Sequence, residues 1–318
     1  MEHISYIRKR IKENVSKVIV GKEHTVDMLI LTFLCGGHAL IEDIPGTGKT
    51  TLVKAFAQSS NCSFKRIQFT PDLMPGDVTG ISFFNVKNNE FEFMAGPVFT
   101  NILLADEINR ATPKTQSGLL ECMEEHQVTV DGTTYKLPEP FMVVATQNKI
   151  ESAGVFQLPE AQLDRFFLRI SMGYPSMSDG VNILRRFVND DPRSRVEPVV
   201  ESNDIIKARE EVKAIYASDD IFRYIVAICE ATRQNDAVAL GVSPRASLAL
   251  MRASQAYAGM NERNYVIPDD VKAVAPYVLA HRLVMKNSAR FKSGADENVI
   301  KEILDNISAP TENVGGQM

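Results

Sequence analysis

The sequence lacks the features that mark several classes of protein. Its four cysteines stand far apart with no C-x-x-C pair, which argues against a zinc ribbon or a disulfide framework and favours the reduced cytosol. No apolar run approaches the about 18 residues needed to span a bilayer, and the charged N-terminus predicts no signal peptide. Positive charge is not in excess, since 35 Lys and Arg stand against 40 Asp and Glu, so a duplex nucleic acid is not an expected partner. Tryptophan is also absent, which excludes nothing.

The composition that remains is that of an ordinary globular protein. Hydrophobic residues make up 44% and charged residues 24% of the 318 positions, which excludes a disordered or collagen-like chain. The length predicts about two domains. The chain has no internal repeat and no low-complexity tract.

Strand-like segments alternate with helical ones through the first half of the chain, which favours an α/β fold. Five short apolar runs are predicted as buried parallel strands, at residues 38–42, 64–69, 102–105, 141–145 and 167–171. Residues 81–94 and 127–137 instead alternate apolar and polar side chains around turn residues, which predicts two β-hairpin insertions. The hairpins either decorate the surface or contact a client protein.

Helical periodicity replaces the strand signal after Gly173. Helices are predicted at residues 178–189, 202–216, 218–234, 243–258, 269–281 and 295–307, followed by a frayed tail at 310–318. The sequence therefore predicts an α/β core domain over residues 1–173, built on a parallel five-stranded sheet, and an all-helical domain over residues 174–318.

A glycine-rich loop joins the first predicted strand to a helix predicted at residues 50–58. Residues 43–50 read DIPGTGKT, and a loop in this position binds phosphate oxygens with its backbone N–H groups and the helix N-terminus. Lys49 would lie on the β- and γ-phosphates, and Thr50 on Mg²⁺. The consensus G-x-x-x-x-G-K-S/T has glycine where this chain has Asp43.

Polar residues follow two other predicted core strands. Asp106 and Glu107 end the run at 102–105, where the first carboxylate would orient a magnesium-bound water and the second would polarise an attacking water. Asn148 follows the strand at 141–145, at the sheet edge where ligands bind in open α/β folds, and it can donate to a γ-phosphate. Together with the loop, these residues predict a nucleoside triphosphatase.

Residues 148–151, NKIE, suggest a guanine-reading N-K-x-D motif and hence a GTPase as an alternative. Three features oppose it. The motif ends in Glu151 instead of aspartate, the acidic strand continues as DEIN instead of D-x-x-G, and Asn148 follows only one strand after the acidic pair. ATP is therefore the expected nucleotide.

Several motifs together resemble the MoxR family of AAA+ ATPases. They are IEDIPGTGKT at 41–50, GPVF at 96–99, DEINRA at 106–111, Gln116, ATQN at 145–148 and LPEAQLDRF at 158–166. The resemblance covers nearly the whole chain, and an acid in place of the first loop glycine is usual in that family. Lys149 is a small departure, because the family more often has proline there.

The resemblance implies a role for each matching residue. Asn148 would be sensor 1, and Glu107 the second Walker B carboxylate. The residues implied to bind the nucleotide or its magnesium ion are Val20, Gly21, Pro45, Gly46, Thr47, Gly48, Lys49, Thr50, Thr51 and Asp106, of which Thr50 and Asp106 would hold the metal.

Two arginines complete the implied site. Arg165 aligns with the arginine finger that reaches the γ-phosphate of a neighbouring subunit, with Arg169 and Arg110 as alternatives. Arg245, in GVSPRA at 241–246, aligns with sensor 2. Its predicted place in the first turn of a helix is unfavourable for a cation by about 0.3–1 kcal/mol unless an anion lies nearby.

The resemblance implies a cytoplasmic ATP hydrolase with ATP and Mg²⁺ as cofactors. It would form a ring, by resemblance a hexamer, and act as a chaperone that remodels or matures partner proteins, including insertion of a metal or cofactor, often beside a von Willebrand factor A domain protein. Two alternatives stay open. One is an ATP-gated assembly scaffold that hydrolyses very slowly, and the other is a DNA-directed AAA+ motor.

Overall fold

The computed structural model describes residues 2–148, 155–188, 195–286 and 294–310. The chain divides into two units, one formed by Tyr6–Arg209 and the other by the residues from Glu210 onward together with His3–Ser5. The end of the predicted tail, residues 311–318, and the last three residues of the NKIE stretch, 149–151, lie outside the described ranges.

The first unit is built on a five-stranded parallel sheet. Its strands are β1 (Ala39–Glu42), β2 (Phe64–Gln68), β5 (Ile102–Asp106), β8 (Met142–Gln147) and β9 (Leu168–Ile170), in the spatial order β2-β5-β8-β1-β9. All five runs predicted as strands are confirmed. Every residue of β5 is buried, as expected for a strand covered on both faces.

Helices alternate with the strands of the first unit along the chain. Those up to residue 213 are α1 (Glu2–Val15), α2 (Glu23–Leu34), α3 (Lys49–Ser59), α4 (Pro75–Thr79), α5 (Pro113–Glu125), α6 (Glu160–Leu163), α7 (Met177–Phe187) and α8 (Ser202–Lys213), of which α1 and α8 contribute residues to both units. Helix α5 begins where Pro113 follows an extended residue, which is the favoured position for proline at a helix start.

Both predicted hairpins are confirmed. One pairs β3 (Gly80–Asn85) with β4 (Glu90–Ala95), and the other pairs β6 (Gln127–Val130) with β7 (Thr133–Lys136). The ring of Phe93 stacks on that of Tyr135, with centroids 4.1 Å apart, so the two hairpins contact each other. Phe84 and Phe91 lie near the tip of the first hairpin and are exposed.

The second unit is mostly helical. It contains α9 (Asp219–Gln234), α10 (Pro244–Met260), α11 (Pro268–Leu279) and α12 (Ala295–Asn306). The prediction of an all-helical unit needs one correction, because β10 (Val238–Leu240) pairs antiparallel with β11 (Val284–Met285). Two strands this short carry too little alternation to be visible in the sequence.

The boundary between the units also differs from the predicted one. The structure divides the chain at Arg209 instead of Gly173. The described residues between 174 and 209, which the sequence assigned to the helical domain, therefore belong to the first unit. The reason is hydrogen bonding at residues 196–199. Asn14 of α1 donates to the carbonyl of Glu197 at 2.6 Å, and Gln58 of α3 donates to that of Val196 at 2.7 Å.

Helix α7 carries an unusual surface for a folded chain. Its apolar side chains recur at helical spacing, yet none of its residues is buried, and Leu184 is 71% exposed. The exposed apolar stripe consists of Met177, Val181, Leu184 and Phe187. Exposed apolar stripes of this kind are typical of surfaces that contact another molecule.

Candidate functional site

The glycine loop after β1 leaves open space on one side. Gly46 and Gly48 have φ values of +81° and +88°, which side chains rarely adopt, and a Cβ at either position would meet no atom within 4 Å. Helix α3 begins immediately after Gly48, so its unpaired N–H groups lie beside this space. The loop therefore offers open space beside backbone N–H groups, which is the arrangement that binds phosphate at helix N-termini.

Lys49 lies beneath the loop with its side chain buried. Its Nζ donates to the carbonyl oxygens of Asp43 and Ile44 at 3.3 and 3.1 Å and to Oδ1 of Asn148 at 3.3 Å. These acceptors carry no net charge, so the positive charge of the ammonium can still attract an anion bound in the loop. Lys49 thus joins the loop to the end of β8.

Asp106 ends β5 with both carboxylate oxygens in hydrogen bonds. Oδ1 accepts from the hydroxyl of Thr146 at 2.6 Å, and Oδ2 accepts from Nε and Nη2 of Arg66 at 3.1 and 2.7 Å. Arg66 lies on the neighbouring strand β2. The carboxylate is therefore held in one orientation and carries a compensating positive charge.

Glu107 has a strained backbone, with φ 56° and ψ 50°. Its N–H donates to the Thr146 hydroxyl at 2.9 Å, so one threonine orients both adjacent acids. Its Oε1 accepts from Nδ2 of Asn148 at 3.2 Å, and its Oε2 accepts from Nε2 of Gln68 at 2.7 Å. The carboxylate is thereby aimed along the carboxyl edge of the sheet.

The structure brings Lys49, Asn148 and Glu107 into one chain of hydrogen bonds. The strand order explains this contact, because β1 and β5 both pair with β8 and their carboxyl ends meet at one edge. Thr50 and Thr51 follow Lys49 in the first turn of α3.

The three candidate finger arginines differ in their surroundings. Arg165 follows α6 and pairs with Glu124 of α5 at 3.3 Å, with 32% of its side chain exposed. Arg169 is only 14% exposed and pairs with Glu42 of its own sheet at 3.3 Å, while Arg110 lies 3.3 Å from Oε2 of Glu107.

The two remaining predicted parts of the site belong to different units of the fold. Val20 and Gly21 precede α2, and Gly21 has a φ of +69°. A Cβ on Gly21 would lie 2.3 Å from Oδ2 of Asp179, so the start of α7 packs closely on this turn. Arg245 belongs to the second unit, where it is exposed in the first turn of α10.

Sequence reasoning missed the polar partners of the two acids. Arg66, Gln68 and Thr146 are ordinary residues in their own segments, and their contacts depend on strand order. Gln68 lies directly opposite Asp106 in the parallel register. The signal available in the sequence was only that Gln68 and Thr146 stand at or near the carboxyl ends of predicted strands.

The donor set fits a nucleotide with a magnesium ion. The glycine cradle and Lys49 suit phosphates, and the hydroxyl of Thr50 and the carboxylate of Asp106 are the hard oxygen donors that Mg²⁺ prefers. Elsewhere, the described part of the chain holds no cluster of three or more His, Cys, Asp or Glu residues arranged for a metal. It also contains no helix long and apolar enough to cross a membrane.

Fold and site together place the chain among the P-loop ATPases. A family described as the ATPase family associated with various cellular activities (AAA) matches residues 38–168, and an AAA lid domain matches residues 230–303. The first match runs from β1 to the first residue of β9, and the second lies within the second unit.

Full-length relatives narrow the class further. The chain is 49% identical over 300 residues to the uncharacterized protein YeaC of Bacillus subtilis, covering 94% of each chain. It is 41% identical over 308 residues to the Chaperone MoxR1 of Mycobacterium tuberculosis, covering 94% of this chain and 81% of that one. The chain therefore belongs to the MoxR family of AAA+ ATPases and is an ATP hydrolase.

A solved structure agrees with this assignment. The crystal structure of a candidate ATPase from Cytophaga hutchinsonii superposes with a TM-score of 0.89 at 38% identity, covering 98% of each chain.

Proposed function

We propose that this ATPase works with Mg²⁺ at the site built around Lys49. The observation that carries the proposal is the continuous contact of Lys49, Asn148 and Glu107 beside the open glycine loop. Residues 46–49 bind the phosphates through backbone N–H groups, Pro45 lines the start of the loop without donating, and Lys49 also binds the phosphates through its ammonium. Thr50 and Asp106 hold the magnesium ion, Thr51 supports the phosphates, and Val20 with Gly21 contacts the adenine.

Glu107 is the proposed general base. Its two carboxylate oxygens are oriented by Asn148 and Gln68, so the group can accept a proton from a water positioned in line with the γ-phosphate. Asn148 reaches both Glu107 and Lys49, which suits a sensor of the γ-phosphate. The magnesium ion, when bound, offsets the negative charge that develops on the phosphates.

Arg165 is the proposed finger for the neighbouring subunit. Its partial exposure and its surface partner Glu124 leave it able to exchange that partner for a phosphate. Arg110 and Arg169 fit this role less well, because both pair with carboxylates at their own subunit's sheet edge. Arg245 is the proposed sensor 2, since the positive end of α10 favours an anion at its first turn.

We further propose a ring, most simply a hexamer, in which the first unit supplies the catalytic core. The exposed apolar stripe of α7 supports assembly, because a monomer would leave it in water. One relative is named a chaperone. By this relationship the ring is proposed to remodel or mature a client in the cytoplasm, including metal or cofactor insertion, together with a von Willebrand factor A domain protein.

ATP binding and turnover by the Lys49→Ala and Glu107→Gln variants test the site. Lys49→Ala is expected to lose ATP binding, because the loop loses its only lysine side chain. Glu107→Gln is expected to bind ATP and to lose turnover by about 10²- to 10⁴-fold, since an amide cannot accept the proton. Lys54→Ala is the matched control, an exposed lysine on the same helix.

The outcomes separate the alternatives. Unchanged turnover in Glu107→Gln would contradict the role of the base. ATP binding by the wild type without any turnover would favour the assembly scaffold, and turnover stimulated by DNA would favour the motor.

A further inference from the structure

Asp43 stands at the first position of the phosphate-binding loop, where the consensus has glycine. It is 4% exposed, which is unusual for a carboxylate. Its φ does not lie in the left-handed region, in contrast to Gly46 and Gly48, so the loop can carry a side chain at this point. The question is what the buried carboxylate does there.

The carboxylate of Asp43 joins two parts of the chain that are 129 residues apart. Its Oδ1 accepts from the N–H of Ile44 in the loop at 2.8 Å. Its Oδ2 accepts from the N–H groups of Met172 and Gly173 at 3.1 and 3.0 Å. Residues 172–174, here called the exit segment, connect β9 to α7.

The exit segment is also held from a second direction. The ammonium of Lys22 donates to the carbonyl oxygens of Met172 and Tyr174, the latter at 3.1 Å. Lys22 directly follows Gly21, onto which Asp179 of α7 packs. The exit segment is therefore bonded to the loop that binds phosphate and to the turn proposed to contact adenine.

We propose that Asp43 is a positioning residue that couples the phosphate-binding loop to the exit segment. The inference rests on the proposed nucleotide site and does not require Asp43 to touch the nucleotide. Separating the loop from the segment would leave the buried carboxylate of Asp43, the buried N–H of Met172 and the partly buried N–H of Gly173 unpaired, which is costly. A change of the loop on nucleotide binding is therefore transmitted to Met172 and Gly173.

Two substitutions separate this role from simple packing. Asp43→Asn keeps the size of the side chain but has one acceptor oxygen instead of two, so it can bond to the loop or to the exit segment but cannot bridge them. Asp43→Gly restores the consensus glycine and removes the bridge entirely. A residue that merely fills the position predicts that both variants respond to nucleotide as the wild type does.

The experiment measures amide hydrogen exchange of the full chain by mass spectrometry on peptides covering residues 170–176. Each protein is measured with and without adenylyl imidodiphosphate and Mg²⁺, and binding of this analogue is measured separately. In the wild type the analogue is expected to change exchange at Met172 and Gly173 by about tenfold, the effect of one bond to a charged group. In Asp43→Asn and Asp43→Gly we expect less than about a twofold change.

Lys22→Met is the contrasting variant. It loosens the same exit segment from the other side but keeps both amide bonds to Asp43, so it should retain the response to the analogue. Each variant is compared with itself, with and without the analogue. A general loss of stability therefore affects both measurements and does not change their ratio.

The outcomes are distinguishable. A wild type that binds the analogue without any change at Met172 and Gly173 overturns the coupling and leaves the proposed function standing. A full response in Asp43→Gly or Asp43→Asn overturns it as well. A wild type that does not bind the analogue overturns the proposed function, and the coupling with it.

Discussion

At the scale of single residues, Arg66 places a positive charge next to Asp106, the proposed ligand of the magnesium ion. Its guanidinium donates twice to Oδ2 of Asp106 and once to Oε1 of Gln68, which in turn donates to Glu107. A positive charge here orients the carboxylate but also repels a cation at the same group. Arg66 thus fixes the orientation of the Asp106 carboxylate but lowers its affinity for Mg²⁺.

We therefore predict that Arg66→Met lowers the Mg²⁺ concentration needed for half-maximal ATP turnover, by about two- to tenfold. Lys65→Met is the matched control. Lys65 is the preceding residue, is also exposed, and contacts the carbonyl of Gly96 instead of Asp106. An equal shift in both variants would show that only the overall charge matters, and no shift in either would contradict the prediction.

At the scale of elements, His38 connects three of them. It directly precedes β1, its Nε2 donates to the carbonyl of Met123 on α5, and its Nδ1 accepts from the N–H of Val143 on β8, both at 2.9 Å. The pKa of His38 is lowered from 6.5 to about 4, chiefly by burial and to a smaller extent by the nearby charges of His126 and Arg209, while the hydrogen bond to Met123 acts in the opposite direction. The neutral ring is therefore part of the folded sheet.

The lowered pKa of His38 predicts how stability depends on pH. The folded state disfavours the charged ring, so the contribution of neutral His38 to the free energy of unfolding is complete above pH 6.5. This contribution is lost as pH falls from 6.5 towards 4, by up to about 3 kcal/mol. Denaturant unfolding at pH 7.5, 6 and 4.5 measures this loss. His38→Asn keeps an acceptor for Val143 but does not titrate, so its free energy of unfolding should fall less. Equal falls in both proteins would contradict the prediction.

The elements themselves were largely predictable. The five core strands, both hairpins and the helices of the second half agree with the alternation and periodicity of apolar residues. The small pair of β10 and β11 and the boundary at Arg209 were not predictable. Both depend on hydrogen bonds between distant segments, such as that from the side-chain amide of Asn14 to the carbonyl of Glu197, which leave no local pattern.

At the scale of the whole molecule, the proposed site is shared between subunits. Two variants that each inactivate the ring should then restore activity when combined. Arg165→Ala keeps an intact base and Glu107→Gln keeps an intact finger, so an interface between them can have both. In an equal mixture about one quarter of the interfaces combine these intact groups.

We predict that coexpressed Arg165→Ala and Glu107→Gln recover about one quarter of the wild-type ATP turnover, whereas each alone is nearly inactive. A mixture of Lys49→Ala and Glu107→Gln is the control, because Lys49 and Glu107 both contact Asn148 of their own subunit and should not complement. No recovery in the first mixture would contradict a finger acting between subunits.

The sequence by itself determined the class of this protein, because the chemistry of a phosphate loop requires particular residues in order along a short segment. Lys49 and Thr50 were visible in this way, and Asp106, Glu107 and Asn148 were visible as polar residues that follow predicted core strands. Only the tertiary structure decided which side chains act on them. Asp43 meets Met172, and Arg66 meets Asp106, because the strand order brings distant segments within hydrogen-bond reach. Such contacts depend on distance in space, which the order of residues along the chain does not specify.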